Sequence, residues 1–314
     1  MSQYLITGVA GFIGSSLAHS LIANGEQVRG IDNFITGRRE NITALNGKLE
    51  FREASILDEA ALAKACHGVD YILHQAALPS VPRSIADPAE TNLHNVTGTI
   101  NVLNAGLKAG VKRIVYAASS SAYGDTPTLP KQEDMAPKPI SPYGVSKLAA
   151  EQYMQAFYRT YGLETVCLRY FNIFGPRQEP NSEYSAVLAK FITLMLQGQS
   201  PTIFGDGLQS RDFNFIDNCV NANLLACKAP VAKVAGQVFN VAAGKQTSMN
   251  GTFCLLQELT GFTGPVIYGP ERKGDIKHSL ADITRIREAM GYEPSVDFRE
   301  GLKRTIEWYK KQSQ

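Results

Sequence analysis

Tyr143 and Lys147 stand four residues apart in the stretch Ser141-Pro142-Tyr143-Gly144-Val145-Ser146-Lys147. Ser141 suits a helix N-cap, and Pro142 the first helical position, where a missing N–H costs nothing. The pair then shares one helical face. An ammonium beside a phenol favours the phenolate. The expectation is a tyrosine base that works near neutral pH, which a free phenol of pKa ~10 cannot do. Tyr-x-x-x-Lys pairs are common on solvated helix surfaces, so the meaning of this one depends on what lies upstream.

Upstream, Gly8-Val9-Ala10-Gly11-Phe12-Ile13-Gly14 joins an apolar strand at residues 3–7 to a helix predicted from Ser15 to Asn24. A glycine-rich turn at a helix N-terminus lets backbone N–H groups and the helix dipole meet a diphosphate. The spacing is G-x-x-G-x-x-G, not the standard G-x-G-x-x-G. The next strand, residues 27–31, ends on Asp32, which is placed for adenosine ribose hydroxyls and would repel the extra phosphate of NADP. Arg38 and Arg39 argue the other way, but they lie in a loop, whereas Asp32 sits at a strand tip. Strand, glycines, helix and acid in register predict a dinucleotide site.

The elements that must carry these residues follow in βα alternation. A strand is expected at 49–52, a helix capped by Asp58 through Cys66, and a central strand at 69–74. Small residues after it, Gln75-Ala76-Ala77, suit a backbone passing close to a cofactor. A proline-bounded loop at 79–88 precedes a long helix at 89–109 and a strand at 113–117. Ser119-Ser120-Ser121 leaves the carboxyl end of that strand, where open α/β sheets bind ligands, so a role toward a substrate hydroxyl is expected. The Tyr143 helix runs to Tyr161, and a strand follows at 163–169. Alternation then weakens: a helix at 185–196, a turn at 204–207, a strand at 211–216, a helix at 218–229, a strand at 238–241, and a closing helix at 299–311 anchored by Trp308. The predicted fold is α/β. A Rossmann-type doubly wound parallel sheet (residues 1–171) binds NAD, and a smaller mixed α/β C-terminal lobe (172–314), some of whose segments return to the first domain, takes the substrate.

The 314 residues exceed what one core usually organises. A net charge of +2 gives no reason to expect nucleic-acid or anionic-membrane binding. No apolar run approaches the ~18–20 residues of a membrane span. The chain enters a strand at once, with no basic-then-apolar leader, so a cytoplasmic location is expected. Five cysteines (Cys66, Cys167, Cys219, Cys227, Cys254) show no C-x-x-C spacing, and five histidines no H-x-x-x-H, so neither a disulfide framework nor a metal site is expected.

Taken together, Gly8-x-x-Gly11-x-x-Gly14, Asp32-Asn33, the serine run before Tyr123-Gly124, Tyr143-x-x-x-Lys147 and Leu168-Arg169-Tyr170-Phe171-Asn172 resemble the extended short-chain dehydrogenase/reductase superfamily. Within it the chain is similar to nucleotide-sugar 4-epimerases over nearly its whole length. Ser80-Val81-Pro82-Arg83-Ser84, Gly175-Pro176-Arg177-Gln178-Glu179-Pro180-Asn181, Ser210-Arg211-Asp212-Phe213 and Arg272-Lys273-Gly274-Asp275 look like the UDP-N-acetylglucosamine 4-epimerases of bacterial surface-polysaccharide pathways.

The resemblance implies NAD as cofactor, held by Gly8, Gly11, Phe12, Ile13, Gly14, Asp32, Asn33, Ser55, Ile56, Gln75, Ala76, Ala77, Asn95, Tyr143, Lys147 and Tyr170. It implies that Tyr143, as phenolate, removes the sugar 4-hydroxyl proton while C4 passes a hydride to NAD. Lys147 lowers the tyrosine's pKa and bonds the nicotinamide ribose. Ser119, with Ser120 close behind, bonds the 4-oxygen. The 4-keto sugar then turns over and takes the hydride back on its other face. Ser80, Arg83, Ser121, Asn172, Arg211, Arg272 and Asp275 are implied around the UDP-sugar. Ser279, at a site that is bulky in epimerases restricted to plain hexoses, and Ala186, which matches another small position lining that space, imply room for a 2-acetamido group, and a larger pocket rarely excludes the smaller sugar. A homodimer through the helices at 89–109 and 141–161 is implied as well.

The chain departs from the family at Ser55, where relatives usually carry Asp near the adenine, and from the acetamido-sugar subgroup at Pro79, where that subgroup often has glycine. Ser120 and Ser121 occupy the Asp-Glu positions of 4,6-dehydratases, and the glutamate of UDP-glucuronate decarboxylases is missing, so both chemistries are disfavoured. An epimerase restricted to UDP-glucose and UDP-galactose, or one acting on UDP-glucuronate, is the alternative, although the Arg-Pro-Asp-Met of the latter is absent. A catalytically inactive NAD-binding regulatory protein is the rival of another class. Such a protein would lose Tyr143 or Lys147, and both are present.

Overall fold

The computed structural model describes residues 1–180, 187–271 and 276–312. Seven parallel strands form the central sheet: β1 (Gln3–Thr7), β2 (Gln27–Asp32), β3 (Leu49–Glu53), β4 (Tyr71–His74), β5 (Arg113–Ser119), β6 (Glu164–Tyr170) and β7 (Gln237–Val241). They lie in the order β7-β6-β5-β4-β1-β2-β3. The direction of winding reverses between β1 and β4, and a crevice opens there at the carboxyl ends. Helices cover both faces, which is why the strands read as apolar runs. Tyr4-Leu5-Ile6, Ile72-Leu73 and Ile114-Val115 are fully buried. One core holds Leu17, Phe174, Phe191 and Phe215, and the other Leu62, Leu103, Met154 and Phe157.

The helix Pro142–Tyr161 forms as its caps predict. Ser141 Oγ accepts the Gly144 N–H at 3.1 Å, and Gly162 ends the helix at φ 70°. Its inner face carries Lys147, Ala150, Glu151, Met154 and Phe157. Glu151 is buried because Arg169 of β6 meets it with two bonds, Nε to Oε2 at 2.8 Å and Nη2 to Oε1 at 2.7 Å. This fork fixes the helix against the sheet.

Three stretches differ from the sequence reading. The proline-bounded loop is partly helical, Val81–Ala86 and Pro88–Asn92, because Ser80 and Asp87 cap both pieces. The long helix after it is interrupted by a π turn, Leu93–Thr97, before Gly98–Ala109. The strand expected at 211–216 is two short ones. Ser210–Arg211 pairs with Thr247–Ser248, Asn214–Phe215 pairs with Ile173–Phe174, and the next helix starts already at Ile216. The closing helix is Phe298–Gln312, with Trp308 half-buried against the Tyr309 ring. Among the described residues no helix is long and apolar enough to cross a membrane.

Candidate active site

The crevice at the switch point has a volume of about 480 Å³ and is walled by residues from both parts of the chain. The glycine turn forms its floor. Gly8 sits at φ 69°, and a Cβ there would lie 2.8 Å from Ala76 Cα; one on Gly14 would lie 2.1 Å from Gly8 O. Only glycine allows this turn to close so tightly that the helix Phe12–Ala23 points its N-terminus into the crevice. Gly8, Gly11, Phe12, Ile13 and Gly14 all line it.

Asp32 is buried at the tip of β2 and lines the same wall. Its Oδ2 accepts the Ala10 N–H at 2.9 Å and its Oδ1 the Phe34 N–H at 2.8 Å. Burial pushes its pKa up, and these amide bonds oppose the shift. Arg39 pairs with Glu53 at 2.6 Å, and Arg38 pairs with Glu40 at 3.4 Å and with Glu179. With both arginines engaged by carboxylates, the wall suits a free ribose hydroxyl better than a 2′-phosphate.

Asn33, Ile56, Gln75, Ala76, Ala77 and Tyr170 line the crevice. Tyr170 and Gln75 are held by Asn223: Tyr170 Oη donates to its Oδ1 at 3.0 Å and Gln75 Nε2 at 3.3 Å. Ser55 is not part of the lining; its hydroxyl accepts the Leu57 N–H at 3.1 Å. Asn95 is likewise buried behind the wall, and its Oδ1 takes the Leu78 N–H at 2.7 Å.

Tyr143, Lys147, Ser119 and Asn172 face the crevice together. Ser119 Oγ accepts two donors from Ser121, the N–H at 3.2 Å and Oγ at 2.8 Å. Its own proton is left for the Tyr143 phenol, to which it is hydrogen-bonded. Of the three serines Ser119 alone lines the crevice, with Ser121 as its support and Ser120 in the turn. Burial raises the Tyr143 pKa, with only the Ser119 bond opposing it, and burial pushes Lys147 down to about 7. In the protein alone, burial disfavours both the phenolate of Tyr143 and the ammonium of Lys147.

The remaining candidates are placed as follows. Ser80 Oγ accepts the Arg83 N–H at 3.2 Å and is not part of the lining. Arg211 donates to the carbonyls of Ser210 at 3.0 Å and Lys277 at 3.1 Å. Ser279 Oγ lies behind Asn172, accepting from its Nδ2 at 3.1 Å and from Asp212 N at 3.3 Å. Ala186, Arg272 and Asp275 lie outside the described residues. Among the described residues no group of acidic, histidine and cysteine side chains could hold a metal.

Sequence reasoning gave Arg177 no role. It lines the crevice in a left-handed conformation (φ 71°), its Nη2 donates to Ser16 Oγ at 2.9 Å, and its buried Nε has no hydrogen-bond partner among the described residues. A guanidinium over the first turns of a helix adds positive charge to the positive end of the dipole, an arrangement that suits an anion. The Gly-Pro-Arg sequence alone could not reveal this, since its placement depends on the lobe folding back over the glycine turn.

Residues 4–242 match the NAD dependent epimerase/dehydratase family. The chain belongs to that family. It is 40% identical over 308 residues to a putative UDP-glucose 4-epimerase of Methanocaldococcus jannaschii, covering 98% of each chain. The UDP-glucose 4-epimerase of Thermotoga maritima, solved with UDP-glucose, superposes with a TM-score of 0.94 at 40% identity, covering 99% of this chain and 100% of that one. The UDP-N-acetylglucosamine 4-epimerase of Methanobrevibacter ruminantium, solved with UDP-N-acetylmuramic acid, gives 0.94 at 39% identity and 99% of each chain. The epimerase/dehydratase cofactor NAD fits what is present: a glycine cradle that a Cβ would fill, an acid at the β2 tip and the orphaned Nε of Arg177.

Proposed function

We propose that the protein is a UDP-hexose 4-epimerase that inverts C4 through a transient 4-keto sugar, accepting UDP-N-acetylglucosamine and UDP-N-acetylgalactosamine as well as UDP-glucose and UDP-galactose. The observation that carries this reading is the convergence of Tyr143, Lys147, Ser119 and Asn172 on one crevice with the glycine turn. NAD, when bound, supplies the acceptor and donor of the C4 hydride. Gly8, Gly11, Gly14 and Arg177 would hold its diphosphate and Asp32 its adenosine ribose. Tyr143 takes the 4-hydroxyl proton and returns it. Ser119, its oxygen already accepting from Ser121, turns its one proton from the Tyr143 phenol to the 4-oxygen when the sugar is bound. Lys147 stays close to its own pKa, so its charge responds to small changes in the crevice. Asn172, fixed from behind by Ser279, reaches toward the sugar nucleotide.

The Ser279 bond favours a second, narrower reading. A serine engaged in holding Asn172 is small for a local reason, and the chain would then be restricted to plain hexoses, or act on UDP-glucuronate. Incubation of the purified protein with UDP-glucose and with UDP-N-acetylglucosamine, without added NAD, separates these. Conversion of the acetylated sugar at a comparable or faster rate supports the first reading, and conversion of UDP-glucose alone the second. If neither sugar changes even with NAD supplied, UDP-glucuronate is the next substrate, and failure there would leave an NAD-binding regulatory protein.

A further inference from the structure

A buried chain of hydrogen bonds runs from the crevice wall to the helix Pro142–Tyr161, and His74, the last residue of β4, stands at its centre. Its ring is fully buried, with Nδ1 2.7 Å from Thr7 Oγ1 and Nε2 3.0 Å from Thr99 Oγ1. Counting protons assigns the tautomer. Thr99 Oγ1 lies 2.6 Å from the Asn95 carbonyl, which can only accept, so the Thr99 hydroxyl donates there. Its oxygen then accepts from His74 Nε2–H. Nδ1 is left as an acceptor for the Thr7 hydroxyl, whose oxygen takes the Ala76 N–H at 3.2 Å.

At the other end, Asn95 clamps both backbone groups of Leu78, at 2.7 and 3.1 Å, and its Nδ2 donates to Ser146 Oγ at 3.0 Å. Ser146 Oγ donates in turn to the Tyr143 carbonyl at 2.9 Å. Every proton has an acceptor. The chain starts and ends on functional backbone, since Ala76 and Leu78 flank Ala77 of the crevice wall and Ser146 lies between Tyr143 and Lys147.

We propose that His74 is a positioning residue of the hydride-transfer site: a neutral imidazole, protonated on Nε2, that sets the spacing between the wall Gln75–Leu78 and the helix bearing Tyr143 and Lys147. This rests on Tyr143 and Lys147 being the reacting pair. The surroundings agree with it. Burial and the Lys147 charge push the His74 pKa down to about 3. The Tyr116 ring stands between the two groups, its centroid 5.5 Å from the imidazole and 4.6 Å from Lys147 Nζ. An apolar side chain would fill the same space but would fix neither end, and a misplacement of about 1 Å at a reacting centre can cost about a hundredfold in rate.

Two measurements on the full-length, NAD-loaded protein test this. Nitrogen NMR of 15N-histidine protein is expected to show His74 as a neutral ring with Nε2 protonated and Nδ1 bare; the opposite tautomer or an imidazolium at neutral pH would overturn the proposal. His74→Leu is expected to lower kcat about tenfold, to leave the sugar KM within about twofold, and to speed NAD release about tenfold, with His74→Gln, which keeps a donor and an acceptor, recovering most of both. A folded His74→Leu protein that keeps kcat and NAD release within about twofold of wild type would also overturn it. Should that variant not fold, Thr99→Val, which removes only the hydroxyl that orients Nε2, carries the same expectations. NAD release is read by the fluorescence of NADH as it exchanges into the site, with no sugar present. A wild type that epimerises no UDP-sugar would therefore sink the functional reading and leave this test standing.

Discussion

At the scale of single residues, the candidate chemistry rests on how Ser119 and Tyr143 share one proton direction. Ser121 saturates the Ser119 oxygen, so the Ser119 proton is left for the phenol of Tyr143, which lines the crevice. Tyr143→Phe removes the phenol hydroxyl and little else. It is expected to lower kcat by about 10²–10⁴-fold while NAD stays bound; a variant retaining more than about a tenth of the rate would remove Tyr143 from proton transfer. Lys147 allows a test of sign. Its folded pKa is depressed to about 7 from 10.5. Between those values the unfolded chain binds more protons than the folded one, so the stability it contributes is present in full above 10.5 and is lost as pH falls through about 7. Lys147→Met is therefore expected to be more stable than wild type near pH ~6, and the difference should shrink by pH ~9. Denaturant titrations at both pH values, without NAD, check this, and a pH-independent difference would contradict it. These electrostatics were not legible in the sequence. The Tyr-x-x-x-Lys spacing announces the pair, but only the burial of both groups shows that desolvation disfavours the charged form of each.

At the scale of elements, what could be read in advance was local. Ser141-Pro142 announces its helix, the apolar runs announce β1 to β6, and the glycine spacing announces the turn after β1, because each of these is set by neighbours in the chain. What could not be read is set by distant partners. The π turn at Leu93–Thr97 carries Asn95, which bonds Leu78 and Ser146. The break between the strands Ser210–Arg211 and Asn214–Phe215 carries the buried Asp212, whose carboxylate accepts N–H groups from Ala243, Gly244 and Ala281 at 3.0–3.1 Å. No periodicity encodes such partners. The glycine turn supplies the prediction at this scale. Gly14→Ala would set a Cβ 2.1 Å from Gly8 O, a backbone atom that cannot move without opening the turn. The variant is expected to lose ~1–3 kcal/mol of stability and to be purified without NAD. Normal nucleotide content in that variant would mean that the turn does not hold the diphosphate.

At the scale of the whole molecule, the alternation of strands and helices announced a parallel sheet, but the seat of β7 beside β6 follows from a long excursion through the lobe that no local pattern records. Leu93, Val145 and Tyr153 are 45%, 52% and 42% exposed, on the turn Leu93–Thr97 and the neighbouring helix Pro142–Tyr161. We read this two-helix face as the seat of a second copy, since apolar side chains so exposed along one pair of helices gain by burial. A two-fold axis would set each residue near the same face of its partner, and a stable contact would cover roughly 800 Å² per copy. Light scattering on the purified protein is then expected to give about twice the 34.2 kDa of one chain. Val145→Arg with Tyr153→Arg would bring like charges together across the axis and should yield folded monomers. Val145 lies two residues before Lys147, so the monomers should also release NAD faster than the dimer. A wild type that remains monomeric at micromolar concentration, or a doubly substituted protein that still elutes as a dimer, would show that this face is not where two copies meet.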